Sequence, residues 1–138
     1  MQADYLDAHE RHWNDAESLF QAQRWANADH LYGIAAECGI KRLMLAFGMP
    51  YDTSRDRPAS KDDRVHANGI WVRFQSYSTG RMQRAGYVLP GNNPFDNWDV
   101  SDRYARQSNF DQTRVQGHQA GAGTVHGLIA KAQRDGEV

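Results

Sequence analysis

The chain has 138 residues, 40% of them hydrophobic, one cysteine and a formal net charge of −1. That length suits one domain burying about two-thirds of its unfolded surface in a single core, and the lone cysteine excludes an internal disulfide or a cysteine-based zinc site. The opening "MQADYLDAHERHW" lacks the basic start and apolar run of a signal peptide, and no stretch offers the roughly 18 apolar residues of a membrane span, so we expect a cytoplasmic protein without membrane contact.

Charge is spread unevenly, with a net −4 over residues 1–54, +4 over 55–84 and −1 over 85–138. The basic middle interleaves Arg55, Arg57, Lys61, Arg64, Arg73, Arg81 and Arg84 with Tyr77 and Tyr87, side chains suited to binding phosphates and stacking on bases. Its plainer reading is a solvated helix face and loop.

Leu6, Trp13 and Phe20 recur every seven residues with Ala16 and Leu19 beside them, which predicts an amphipathic helix over 3–23. Asn27 or Asp29 then suits the N-cap of a second helix that runs to about 47, where Gly48 and Pro50 stop it. On that helix His30, Gly33, Glu37 and Lys41 share one narrow stripe, either one side of a cleft or a polar edge between neighbouring helices. The polar stretch "YDTSRDRPASKDD" reads as an exposed loop, with Ser60 placed to cap a third helix over 61–78 and Asp63 as its capping-box partner. The inward face of that helix would carry His66, Ile70, Phe74 and Tyr77, and Gly80 would close it.

Between 80 and 111 the periodicity disappears and Pro90, Gly91, Asn92, Asn93 and Pro94 favour turns. Phe95, Trp98 and Tyr104 are costly to leave in water and should pack back on the bundle, with a short helix near 100–106. From 111 to 134, Val115, His118, Ala122, Val125, Ile129 and Ala132 form a helical stripe. Four glycines interrupt it, Gly117, Gly121, Gly123 and Gly127, each costing about 1 kcal/mol in a helix interior. Close packing against the small residues Gly33, Ala35, Ala36 and Gly39 of the second helix, within the chain or across a dimer, would compensate.

No motif for a metal, a phosphate loop or a serine nucleophile occurs, and Cys38 sits mid-helix where it would be inert, so no metal or cofactor is expected. His66 and His118 lie on apolar faces, where a histidine is most often a hydrogen-bonded structural residue; meeting across the core, they would instead form an acid–base pair. Arg114 lies one turn before His118 and offers a phosphate-binding cation.

The segment "WANADHLYGIAAECGIKRLM", with His30, Ala35, Ala36, Glu37 and Lys41 in an A-x-H-x-x-x-x-A-A-E-x-x-x-K pattern, resembles the paired first helices of HEPN domains. The later "SDRYA", with Arg103 and Tyr104, looks like the arginine-tyrosine segment before the final helix of some members. The resemblance implies an all-α bundle, homodimers and, in active members, metal-independent RNA cleavage by an arginine followed after four to six residues by a histidine. Arg24 and His30 fit that spacing at the wrong junction, and Arg114 and His118 stand one residue too close, which shifts the expectation from cleavage to binding.

The sequence therefore predicts a single HEPN-like domain over 1–138, an all-α, up-and-down four- or five-helix bundle with a long irregular loop before the last helix. It is expected to be a homodimeric nucleotide- or RNA-binding module of a toxin–antitoxin or defence system, with a cognate nucleotidyltransferase-type partner. Tyr104, His66, Arg73, Arg81 and Arg84 would contact the ligand. The alternatives are a metal-independent ribonuclease in which His118 is acid or base and Arg114 or Arg103 stabilises the transition state, or a pure protein-interaction module.

Overall fold

Helix α1 (Tyr5–Gln21) starts where the carboxylate of Asp4 turns back to accept from the N–H groups of Leu6 and Asp7. A sharp corner, with Gln23 at a φ of 59°, leads into α2 (Trp25–Ala46). The structure, a computed structural model, describes residues 1–78, Gly80, Gln83 and 85–138. Neither Asn27 nor Asp29 caps α2: the helix begins at Trp25 without a side-chain cap, and Asp29 lies inside it with its carboxylate buried. Gly48, at a φ of 100°, ends the helix as its position predicts.

The segment expected as an open loop is a tight hairpin in which β1 (Tyr51–Asp52) pairs antiparallel with β2 (Arg57–Pro58). Asp56 accepts from the Tyr51 hydroxyl at 2.8 Å and from the Ala3 N–H at 2.6 Å, tying the start of the chain to this hairpin. Ser60 does act as a cap, but of a single 3-10 turn, Lys61–Asp63. The chain then breaks and α3 spans only Ala67–Tyr77. The break has a physical cause. Asp63 is fully buried and its two oxygens accept from Arg73 Nε at 2.7 Å and from the Tyr77 hydroxyl at 2.9 Å. In one continuous helix Asp63 and Arg73 would stand about 15 Å apart along the axis, so the turn must fold back instead. As a result Ala67, Ile70, Trp71 and Phe74 form the inward face, and His66 becomes the exposed residue preceding the helix rather than a core residue.

The irregular segment before the last helix carries Tyr87, Leu89, Phe95 and Trp98 into the core, while Tyr104 stays outside at 78% exposure. The expected short helix there is a 3-10 turn, Val100–Tyr104, closed by a reciprocal capping box between Asp99 and Asp102. Helix α4 (Gln112–Arg134) is capped by Asp111 and buries Val115, His118, Ala122, Val125, Ile129 and Ala132, the stripe read from the sequence. The result is an all-α bundle in which α2 packs against α1, α3 and α4. Among the described residues no helix is long and apolar enough to cross a membrane.

The small residues of α2 and α4 are used within the chain, in two ways. At Gly39 a β-carbon would lie 2.5 Å from Val125 of α4 and 2.7 Å from His9 of α1, so three helices converge there. Gly33 and Gly121 instead admit the irregular segment: a β-carbon at Gly33 would overlap the Trp98 ring, and one at Gly121 would lie 2.5 Å from Pro94. Gly127 meets nothing within 4 Å.

Two buried polar contacts tie the helices further. The Tyr32 hydroxyl donates to Glu17 Oε1 at 2.5 Å and Gln119 Nε2 donates to the same oxygen at 2.9 Å, joining α1, α2 and α4. His9, fully buried, lies 2.8 Å from the Ala35 carbonyl through Nδ1. A carbonyl only accepts, so His9 carries its proton on Nδ1, and its Nε2 accepts from His126 Nδ1 at 3.1 Å. Burial, with the neighbouring His126 adding to it, holds the His9 pKa below its ordinary value.

Two outcomes follow for stability. Gly33→Ala should destabilise the chain by about 1–3 kcal/mol because Trp98 must leave its seat, whereas Gly127→Ala should stabilise it by about 1 kcal/mol, both read from urea unfolding. Because the folded His9 pKa is depressed, the unfolded chain binds more protons just below pH 6.5 than the folded one; stability should be complete above about 6.5 and decline as pH falls below it. His12 and His30 are shifted the same way, chiefly by burial, so His9→Leu should flatten that decline without removing it, as measured by unfolding midpoints from pH 8 to 5.

Candidate functional site

Two polar clusters flank the stripe of α2, one sealed and one open. The sealed cluster centres on Asp29, which has no exposed surface. Its Oδ1 accepts from His118 Nδ1 at 2.5 Å and its Oδ2 from Arg114 Nε at 3.4 Å, both from α4. The remaining groups of those two residues reach the irregular segment. His118 Nε2 lies 2.8 Å from Asn97 Oδ1, and Arg114 Nη2 donates to the Asn97 carbonyl at 2.6 Å and to Asp102 Oδ2 at 3.0 Å. Trp98 Nε1 donates to the backbone carbonyl of Asp29 at 3.0 Å, and Phe95 stacks on the His118 ring at 5.4 Å.

The structure thus brings Arg114 and His118 together, but around Asp29 rather than a cleft. His118 is 1% exposed and both ring nitrogens are engaged, so neither is available to a reacting group. Arg114 spends its guanidinium on Asp29, Asp102 and the Asn97 carbonyl, and lies over the Phe110 ring at 5.5 Å. The catalytic assignment of this pair does not fit that geometry. Nor do His66 and His118 meet: their partners Glu37 and Asp29 are about two turns apart on α2, roughly 12 Å.

The open cluster lies at the other end of the stripe. Glu37 Oε1 accepts from Lys41 Nζ at 2.7 Å and Oε2 accepts from His66 Nδ1 at 3.0 Å. Glu37 and Lys41 are only 13% and 8% exposed, so they are not the solvated edge their spacing suggested, while His66 is 51% exposed. Beside His66 an open hollow of about 520 Å³ is lined also by Arg64, Asn68, Gly69 and Asp96. His30 stacks on Trp98 at 5.9 Å with its Nδ1 buried and unpartnered among the described residues. Burial depresses its pKa, and Arg103 depresses it further, so the Val100–Tyr104 turn bears on this face electrostatically. On that turn the Arg103 guanidinium lies 4.7 Å over the ring of Tyr104.

Of the other expected ligand contacts, Arg73 is held by Asp63 and lies 5.1 Å over the Tyr77 ring. Arg81 and Arg84 lie outside the described residues. In the rest of the basic stretch, Arg55 pairs with Asp52 and Arg64 donates to the carbonyls of Ala59 and Ser60, as ordinary surface cations do. Burial pushes the Cys38 thiol up to about 12, in keeping with an inert residue. Sequence reasoning missed Asp29 and Asn97 as partners of His118. It also missed the 29-residue link from Glu37 to His66, for which only the i, i+4 spacing of Glu37 and Lys41 gave a local signal.

Breaking the sealed cluster should cost the fold rather than a reaction. Asp29→Asn removes the buried counter-charge of Arg114 and should lower unfolding free energy by about 3–5 kcal/mol in urea titration. Compared with protein-family models, curated proteins and solved structures, the chain matches none.

Proposed function

We propose that the protein is a HEPN-like nucleotide- or RNA-binding module whose binding face is the exposed surface around the Val100–Tyr104 turn, with Arg103 and Tyr104 as its principal contacts and His66 as a further one. The observation that carries this reading is the exposed Arg103–Tyr104 stack. A tyrosine ring at 78% exposure has no packing role, and a guanidinium lying over it at 4.7 Å supplies a cation beside a flat π surface. Bases stack on such rings whatever their sequence, and a neighbouring cation meets the phosphate.

The support is local. The chain as a whole carries a net charge of −1, so attraction comes from this face and not from a global field. The same reading keeps the protein as a homodimeric member of a toxin–antitoxin or defence module with a nucleotidyltransferase-type partner, on the strength of the resemblance in α2 and around Arg103 and Tyr104.

The test uses residues that the fold does not need. Tyr104→Ala and Arg103→Ala should leave unfolding free energy within about 0.5 kcal/mol of the parent. Tyr104→Ala should weaken binding of a labelled single-stranded RNA by about 1–3 kcal/mol in fluorescence anisotropy, and affinity should fall with added salt. A pure interaction module would bind no RNA in this assay.

A further inference from the structure

The ring of His30 is held by stacking alone, and neither of its nitrogens has a hydrogen-bond partner among the described residues. It lies on the Trp98 ring with 5.9 Å between centroids and 16° between planes. Trp98 is itself fixed from two sides, seated in the space left by Gly33 and donating through Nε1 to the Asp29 carbonyl at 3.0 Å. His30 Nδ1 is enclosed without a partner, whereas Nε2 is not enclosed and meets solvent. A buried N–H with no acceptor is costly, so the ring carries its proton on Nε2 and Nδ1 stays bare. Burial, with Arg103 adding to it, holds the His30 pKa below its ordinary value, and the ring is neutral above about pH 6.5. His30 therefore presents one neutral N–H to solvent in a fixed direction.

The charged and titratable groups around it come from every neighbouring element: His12 on α1, Asp29 on α2, His66 ahead of α3, and Asp102 and Arg103 on the Val100–Tyr104 turn. Asp29 is already answered by His118 and Arg114, and Asp102 by Arg114. Arg103 makes no ion pair among the described residues and lies over the Tyr104 ring. An unpaired cation, a flat exposed ring and a directed neutral donor thus share one face.

We propose that the Nε2–H of His30 donates to a phosphate oxygen of the strand whose base stacks on Tyr104, beside the charge of Arg103. This rests on the reading of the face as an RNA binder and gives the backbone of the strand two contacts of different kinds. Arg103 supplies charge, which salt screens; His30 supplies direction, which salt leaves untouched. The donor takes up no proton, so its contribution is constant at any pH above about 6.5. A contact to phosphate positions the strand and carries no sequence information.

The experiment measures the anisotropy of labelled oligouridine and oligoadenosine of equal length with the full chain, over a salt series at pH 7 and at pH 8. His30→Phe keeps a flat ring over Trp98 and gives up no internal hydrogen bond; its urea midpoint checks the fold, and His30→Ala carries the same readouts should that midpoint fall. The variant should bind both RNAs about tenfold more weakly, the worth of a hydrogen bond to a charged group, with the salt slope of the parent and an equal loss at the two pH values. Arg103→Ala should instead reduce the salt slope by about one. Parental affinity in His30→Phe would overturn the contact. So would a reduced salt slope in that variant, because a displaced turn takes Arg103 with it. A loss larger at pH 7 than at pH 8 would mark a cation, and a loss confined to one RNA would mark a base contact, and either overturns the neutral phosphate donor. In all these cases the wild type still binds and the reading of the face stands. No RNA binding by the wild type would overturn both.

Discussion

A carboxylate with no exposed surface must be answered by donors, and Asp29 is answered entirely from outside its own helix. Its two oxygens take His118 and Arg114 from α4, and those residues extend the chain of contacts to Asn97 and Asp102 in the irregular segment. Close approach of α2 and α4 and docking of the irregular segment are thus one event, not two. The glycines belong to the same event, since Gly33 gives room to the Trp98 ring whose Nε1 bonds the Asp29 carbonyl. Replacing the ionic cluster by apolar residues of matching shape need not weaken such a core, but removing one member leaves an uncompensated charge.

The stripe on α2 does two jobs because its ends see different neighbours. Near Asp29 the irregular segment covers it, and the Asp29 carboxylate and the His118 ring are enclosed. Near Glu37 the neighbour is the start of α3, and the early break in that element leaves His66 outside with one nitrogen held and the other open. That break in turn follows from Asp63, whose buried carboxylate pulls the 3-10 turn back over α3 to reach Arg73 and Tyr77.

Periodicity carried most of the fold. The α4 stripe from Val115 to Ala132 was legible because six buried positions follow one helical face, and the stop at Gly48 because a positive φ suits glycine. Tertiary demand set what local signals missed. Asp29 has the residue type of a cap, yet its partners are 85 and 89 residues away, and no local pattern encodes them. His66 sits at helical spacing from Ile70, and the buried Asp63 overrides that spacing. An aromatic ring such as Tyr104 ordinarily packs inward, but here the Asp99–Asp102 capping box fixes its turn and leaves the ring exposed. Of the two histidines that the sequence places on apolar faces, His66 is exposed and His118 enclosed, a difference that no local pattern encodes.

The anchoring of Asn97 and Trp98 also sets how the irregular segment moves. Surface segments without regular hydrogen bonding ordinarily open by local fluctuations at little free-energy cost. Here the segment is bonded to residues in the first third of α2 and α4, so detaching it exposes Asp29 and His118 and loosens the contact between the two long helices. Its amides should therefore exchange with solvent deuterium in step with those of α2, as parts of one cooperative unit. The platform formed by Arg103 and Tyr104 would then stay in place for as long as the bundle itself is folded.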